Sequence, residues 1–391
     1  MKFKLLFLAV LILFFPQSSL AAFNFAALKS DWEKLSVQYS PTSFSKKDAL
    51  ISTASTAISL SEPALFQKEF FRLEFVNREG FVRAALVKLP RKPGLFFVCI
   101  SGLGGRETSG SLKMCTEGMF LSEDYGVILL ESDSSKSWIE RNQRITTSGY
   151  ESGWDLYLSL ETLKQHPLLK DSMKSVLPIG VSMGGNDALY MAYFDSILDT
   201  NWLSKGLLVF SAPADRLEGF KYAFSMPYEY LPIKAGFKYF FYESYDAGRS
   251  ILGKHTGYTP EQVMMISVEE IFENILFPLS KAYLSKFEEH FKNEMLLPFF
   301  IGKKSIEQYE VSDLIKQYET FGILNHLQAR IIFIHAEDDP AVPIRLHEQN
   351  AGMSGGAYLF STAYGGHAGF LSSYGPRWFE GLIKSYLRQI D

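Results

Sequence analysis

The chain has 391 residues, 47% hydrophobic and 21% charged, with a formal net charge of −4. That composition carries enough apolar material for one large domain or two ordinary ones and excludes an intrinsically disordered chain. The lack of a basic excess excludes a nucleic-acid-binding footprint, so no nucleic-acid partner is expected.

Lys2 and Lys4 precede an apolar stretch, Leu5 to Phe15, that is too short to span a bilayer. Ser19-Leu20-Ala21 then offers small residues at positions −3 and −1 of a cleavage site near Ala21 or Ala22. Residues 1–21 therefore read as a secretory signal peptide, with an uncleaved N-terminal anchor as the alternative. No cysteine stands at the cleavage site, so a lipoprotein anchor is not expected. No later stretch reads as a membrane span, and the mature protein is expected outside the cytoplasm, periplasmic or secreted. Residues 22–68 read as an N-terminal helical segment. Cys99 and Cys115 could form one disulfide in such a compartment. Because Cys99 lies in a very apolar run, two buried thiols are the plainer expectation.

From Glu69 to Pro90 the residues alternate apolar and polar around the turn Asn77-Arg78-Glu79-Gly80, which predicts a hairpin. "GLFFVCI" (Gly94–Ile100), "YGVILLES" (Tyr125–Ser132), "SVLPIGV" (Ser175–Val181), "GLLVFSA" (Gly206–Ala212) and "RIIFIHA" (Arg330–Ala336) are continuous apolar runs, the pattern of strands covered on both faces. Helical segments are expected at Glu107–Leu121, Glu151–His166 and Asn186–Leu198. "AYLFSTA" (Ala357–Ala363) and a helix from Pro376 to Ile390 close the pattern. Strands alternating with helices predict an α/β fold with a mostly parallel sheet wrapped on both faces, antiparallel at one edge. Pro178 inside a central strand removes a ladder donor; it is expected near the strand's exit, where the ladder ends.

The core is thus divided into residues 69–215 and 329–391. Between them, residues 216–328 form an insert rich in aromatics, among them Phe220, Tyr222, Phe237, Tyr239 and Phe240, with helical periodicity over Val268–Met295. It is expected to be a helical cap between strands 6 and 7, with some aromatics lining an apolar pocket over the sheet's C-terminal edge.

"PIGVSMGG" (Pro178–Gly185) places Ser182 between Gly180 and Gly184, after a strand and before a helix. In a G-x-S-x-G strand-to-helix turn the backbone is strained, and the residues two before and two after the serine come close together, so only small ones fit. The serine is lifted above the strand ends at a helix N-terminus, where the dipole favours negative charge. A serine hydroxyl needs a base, and the base an orienting acid, in the chain order Ser, acid, His.

Seven histidines are candidates for the base. His166 precedes the serine. His255, His290 and His326 fall in the insert; His335 lies in a core strand as a satisfied core histidine; His347 lies on the following helix. His367, in the glycine-flanked loop "YGGHAGF" after the last strand, is the choice. For the acid, "HAEDDPAVP" offers Glu337, Asp338 and Asp339. Asp339 is chosen, with Asp338 second and Asp215 a remote alternative. The oxyanion donors are expected to be the N–H of Met183 and the N–H of Leu103 in "SGLGGRE" (Ser101–Glu107), whose glycines allow close approach. His290 and Glu294 sit at metal-like i,i+4 spacing, but such a pair is more simply a solvated helix face.

These residues resemble the α/β-hydrolase superfamily and, more narrowly, its YheT-like branch with the mammalian ABHD-type enzymes. "SGLGG", "GVSMGGNDAL", "VFSAPAD", "HAEDDP" and "GGHAGF" carry the resemblance, which covers roughly Phe70 to Asp391 and is patchy across the insert. It implies an eight-stranded α/β-hydrolase fold, esterase or lipase activity on acyl esters, and triad roles for Ser182, Asp339 and His367. The chain departs from that branch in reading Ser101-Gly102 for His-Gly, "ESDSSKS" (Glu131–Ser137) for a loop that often carries Arg-Gly, and a longer, more aromatic insert.

The expected function is a secreted serine hydrolase acting on hydrophobic acyl or lipid esters. It would need no metal and no organic cofactor. Its partner would be a small-molecule substrate, with transient membrane-surface contact through the cap and no obligate protein partner. An acyltransferase with the same triad and a catalytically silent binding protein of the same fold are the rival expectations.

Overall fold

The structure, a computed structural model, describes residues 23–40, 69–109, 123–144, 149–213, 321–324, 326–348 and 357–390, with isolated positions between these stretches. The expected signal peptide, Asp215, most of the aromatic insert including His255, His290 and Glu294, and most of the helix expected at 107–121 lie outside the described residues. Residues 107–109 are described, and they form a turn rather than the start of that helix.

Eight strands form one sheet: β1 (Phe71–Val76), β2 (Val82–Lys88), β3 (Gly94–Ile100), β4 (Gly126–Leu130), β5 (Met173–Val181), β6 (Leu207–Phe210), β7 (Ile331–Ala336) and β8 (Ala357–Thr362). Their order is β1-β2-β4-β3-β5-β6-β7-β8. β2 runs antiparallel to both β1 and β4, and the remaining pairs are parallel. Among the described residues the helices are α1 (Phe25–Gln38), α2 (Lys136–Asn142), α3 (Tyr150–Gln165), α4 (Met183–Ile197), α5 (Phe321–Leu324), α6 (Arg345–Glu348), α7 (Phe370–Tyr374) and α8 (Pro376–Ile390). This is the α/β-hydrolase fold. Among the described residues no helix is long and apolar enough to cross a membrane.

The continuous apolar runs have a direct cause. Side chains alternate faces along a strand, and each face of this sheet has its own core. Phe96, Val98 and Ile100 join Ile128, Leu130, Val209 and Phe333 in one core, against α3 and α4. Phe97 and Cys99 join Leu129, Leu177, Phe210 and Ile334 in the other, against α1 and α8. α8 turns Trp378, Phe379, Leu382, Ile383 and Tyr386 inward and leaves Arg377 and Lys384 in solvent. α1 is fastened to it through Trp32, whose indole N–H lies 3.0 Å from the Leu382 carbonyl and 2.8 Å from Ser385 Oγ.

Pro178 is accommodated differently from expectation. It is the sixth residue of β5, opposite Val98, and not at the exit. The Ser182 N–H donates to the Phe210 carbonyl of β6, so by two-residue alternation the Pro178 nitrogen also faces β6. Pairing with β6 begins only at Ile179 opposite Leu208. The missing donor therefore falls where β6 has not yet started.

A second expectation is corrected. Cys99 and Cys115 are joined in a disulfide and are not free thiols. Both are fully buried, and β3 delivers Cys99 to the face on which residue 115 lies. Burial, read from the sequence as an argument for thiols, brings the two sulfurs together in the same core.

The helix α2 was not anticipated. Ser135 caps it, its Oγ accepting the Trp138 N–H at 3.1 Å. Beside it, Arg83 of β2 is buried and paired with Asp155 of α3, and Arg141 of α2 is paired with Glu131. The Glu131 carboxylate also accepts the Ala84 N–H at 2.7 Å. These charges tie β2, the end of β4, α2 and α3 together.

Reduction of the bridge between Cys99 and Cys115, 16 residues apart, is expected to lower unfolding free energy by about 3 kcal/mol. Urea unfolding with and without dithiothreitol measures it. Two titratable thiols in the untreated protein would contradict the bridge.

Candidate active site

Ser182 occupies the step from β5 to α4. Its φ of 54° and ψ of −127° lie in a region that non-glycine residues rarely enter, at a cost of about 1–3 kcal/mol. The crowding around it explains the neighbouring glycines. A Cβ on Gly180 would stand 2.5 Å from the Gly185 Cα and 2.7 Å from the Gly184 carbonyl oxygen. A Cβ on Gly184 would stand 2.3 Å from the Ser101 carbonyl oxygen at the exit of β3. The sequence argument pairs Gly180 with Gly184; in the structure Gly184 is also restricted by a different strand.

His367 is delivered by the loop between β8 and α7. Gly365, Gly366 and Ala368 all have positive φ, at 150°, 53° and 59°. Two side chains hold this loop: Asp338 Oδ1 accepts the Gly366 N–H at 2.8 Å, and Ser211 Oγ accepts the Ala368 N–H at 3.0 Å. The His367 Nε2 then lies 2.8 Å from Ser182 Oγ. Its Nδ1 lies 3.0 and 3.2 Å from the two oxygens of Asp339. A carboxylate only accepts, so Nδ1 carries the proton and Nε2 is left to accept from the serine hydroxyl.

Asp339 is buried. Its Oδ1 also accepts the N–H groups of Ala341 and Val342 at 2.8 and 2.9 Å. Burial pushes its carboxyl up, but facing His367, His335 and the Val342 N–H outweigh this and hold it below the ordinary carboxylate range. Burial pushes Asp338 above that range. The two neighbouring acids thus divide the work: Asp339 faces the imidazole, and Asp338 holds the loop that carries it.

The structure places Ser182 and Asp339 each within hydrogen-bond reach of His367. It also seats the "SGLGG" loop beside them: a Cβ on Gly102 would lie 3.1 Å from Ser182 Cβ and 3.6 Å from its Oγ. Met183 opens α4 directly after the serine, and Leu103 sits in that loop.

Of the other histidines, His166 caps the end of α3 and His326 lies edge-on to Tyr193. His335 is fully buried; its Nε2 lies 2.7 Å from the Val342 carbonyl and 3.7 Å from Asp339 Oδ2. It is only half-satisfied, because its Nδ1 has no hydrogen-bond partner. His347 lies against it with ring centroids 4.2 Å apart, and its Nε2 is likewise unpartnered. Sequence reasoning missed this pair and Ser211. The spacing of His335 and Asp339, four residues apart across a tight turn, was the available signal for the first; "VFSAPAD", with its serine at a strand end, was the signal for the second.

No family profile matches the sequence, and no curated protein matches it. Solved structures do match in shape. The Pyrococcus furiosus esterase Pf2001 is similar over 85% of this chain and 96% of its own, at 12% identity and a TM-score of 0.51. An acylaminoacyl peptidase from Pyrococcus horikoshii is similar over 83% of this chain at 12% identity and a TM-score of 0.48; the chain spans only 42% of that protein. A putative lipase from Acinetobacter baumannii gives 11% identity, coverage of 90% and 98%, and a TM-score of 0.45. At 12% identity the likeness to the esterase is one of fold alone.

Burial pushes both His335 and His347 below the ordinary histidine range, His347 well below it with His335 adding to the effect. Asp339 and the Val342 carbonyl pull His335 the other way, and Ala212 does so for His347, without reversing either shift. The unfolded chain binds protons at these sites near pH 6.5, whereas the folded chain binds them only at lower pH. Their contribution to stability is thus complete above about pH 6.5 and is lost as pH falls below it. Urea unfolding from pH 7.5 to 5 is expected to show declining stability, less steeply in His347→Phe. A pH-independent midpoint in the native protein would refute this.

Proposed function

We propose that this chain is a serine hydrolase that cleaves carboxylic esters with hydrophobic acyl groups through an acyl-enzyme. The observation that carries the reading is the unbroken relay from Asp339 to His367 at 3.0 Å and on to Ser182 at 2.8 Å, ending on a serine with strained backbone at a helix N-terminus.

The steps follow from those contacts. Ser182 Oγ attacks the ester carbonyl carbon while its proton passes to His367 Nε2. The carbonyl oxygen becomes an oxyanion, met by the N–H groups of Met183 and Leu103, each such donor being worth about 10²–10³ in rate. Asp339 fixes the imidazole tautomer and stabilises its cation. The carbon–oxygen bond to the alcohol breaks as His367 returns the proton to the leaving oxygen. Water, deprotonated by His367, then attacks the acyl carbon, and the acid is released as Ser182 recovers its proton. General-base assistance of this kind contributes about 10²–10⁴.

Finer parts of the reading have separate supports. Assignment to the YheT-like branch rests on "GGHAGF", "HAEDDP" and "GVSMGGNDAL". An extracytoplasmic location rests on the N-terminal segment 1–21 and is favoured by the disulfide, since such bridges persist in oxidising compartments. Preference for apolar acyl groups, and surface contact with lipid, rest on the aromatic composition of residues 216–328.

A fluorophosphonate probe is expected to label the wild-type protein and not Ser182→Ala. Across p-nitrophenyl esters of graded chain length, Ser182→Ala and His367→Ala should each lose at least about 10⁴ in kcat, and Asp339→Asn about 10⁴. A wild-type protein that is neither labelled nor active on any ester would end the proposal.

A further inference from the structure

The loop Ser101–Gly105 contains three glycines, residues 102, 104 and 105, yet on the reading above it must hold the Leu103 N–H to within a fraction of an ångström. Leu103 stands between two peptide units, and each is fixed. The first joins Gly102 to Leu103. Its carbonyl oxygen accepts the Gly105 N–H at 3.0 Å, and because a peptide is planar this also orients the Leu103 N–H on its opposite side. Gly105 is held in turn by the Ser132 N–H, which donates to its carbonyl at 2.8 Å. The second unit joins Leu103 to Gly104, and the Gly104 N–H donates to Ser134 Oγ at 2.9 Å.

Both outside supports therefore come from "ESDSSKS", the segment after β4. That segment is itself braced. Ser132 Oγ and Ser134 Oγ are hydrogen-bonded at 2.6 Å, and the Ser134 N–H donates to Ser132 Oγ at 3.2 Å. Ser135 and Ser137 donate to the buried Glu131 carboxylate at 3.3 and 3.1 Å. The opposite side of the glycine loop meets Ser182 at Gly102. The loop is thus clamped between the serine pair and the reacting hydroxyl.

We propose that Ser134, held by Ser132, is a positioning residue that presets the oxyanion-binding loop, an inference that rests on the serine-hydrolase reading above. It touches no reacting atom; its hydroxyl fixes the peptide that follows the donor. Its removal should weaken binding of the tetrahedral state more than binding of the ester.

The test compares wild type, Ser134→Ala and Ser134→Thr on a p-nitrophenyl ester, with rates normalised to the folded fraction from circular dichroism. Each protein is also titrated with an alkyl trifluoromethyl ketone, which forms a tetrahedral adduct with a serine, and with the matching methyl ketone, which binds without addition. For Ser134→Ala the expected result is a fall in kcat of about tenfold, less than loss of a donor itself. KM should stay within about twofold, and trifluoromethyl ketone affinity should fall with kcat while methyl ketone affinity does not. Ser134→Thr, which keeps the hydroxyl, should recover most of the loss. Wild-type kcat and inhibitor affinity in Ser134→Ala, a loss that vanishes on normalisation, equal weakening of both ketones, or a Ser134→Thr as impaired as the alanine variant would each overturn the role. An active wild type with an unaffected Ser134→Ala removes only this inference; a wild type inert to esters and to fluorophosphonate removes the hydrolase reading and this inference with it.

Discussion

The site depends on one backbone constraint: the chain must leave β5, reverse at Ser182 and enter α4 with no room for a side chain on either flank. Positive φ at Ser182 is unfavourable by itself. It persists because its surroundings determine it more strongly. The Ser182 N–H is bonded to the end of β6 and its carbonyl begins the first turn of α4. Gly180 lies against Gly184 and Gly185, and Gly184 against the end of β3. The turn is therefore a junction of three strands and a helix. Strain at the serine is balanced by packing at its neighbours, and the hydroxyl is left standing above the strand ends.

Around that junction the fold brings polar groups from far apart in the chain to one rim of the sheet. The acid follows β7 and the imidazole follows β8, as parallel strands with a common exit edge require. Their alignment needs further residues. Asp338 and Ser211 bind two N–H groups of the histidine loop, which otherwise carries three consecutive-neighbourhood residues of positive φ. Two backbone N–H groups fix one oxygen of Asp339 and leave the other directed at His367. Behind the acid lie two buried imidazoles, His335 and His347, each with one ring nitrogen unsatisfied. A hydrophobic core would be simpler to build there. Their presence keeps polar groups behind the carboxylate, His335 against Asp339 and His347 against His335.

The other flank of the serine is stabilised by charge. Arg83 would be very costly to bury alone; Asp155 compensates it, and Asn77 supports Asp155 with a 2.6 Å bond. Glu131 sits at the end of β4 and connects this charged group with the serines that follow. The antiparallel strand β2, three places from β5 in the sheet order, is thereby linked through Glu131 to the loop that lies against Ser182. The disulfide at Cys99 anchors the same loop from its other end, two residues before Ser101.

The sequence by itself determined the local features. Five apolar runs mark strands buried on both faces, because a parallel sheet has no solvent side. Gly180-x-Ser182-x-Gly184 marks the turn, because only glycine fits its flanks. The order of serine, acid and histidine, with "HAEDDP" and "GGHAGF" each after a strand, singled out Ser182, His367 and, ahead of Asp338, Asp339; the structure holds Ser182, Asp339 and His367 in hydrogen-bond contact. Tertiary structure alone decided whatever depends on pairing between distant segments. Whether two buried cysteines meet, where the missing Pro178 donor falls in the neighbouring ladder, and which of two adjacent aspartates faces the ring are questions of register and rotation that local composition does not encode. The same holds for "ESDSSKS": as a string it is a polar loop, and it acquires a part in the site only because β3 and β4 are neighbours and set it against the glycines that flank Leu103.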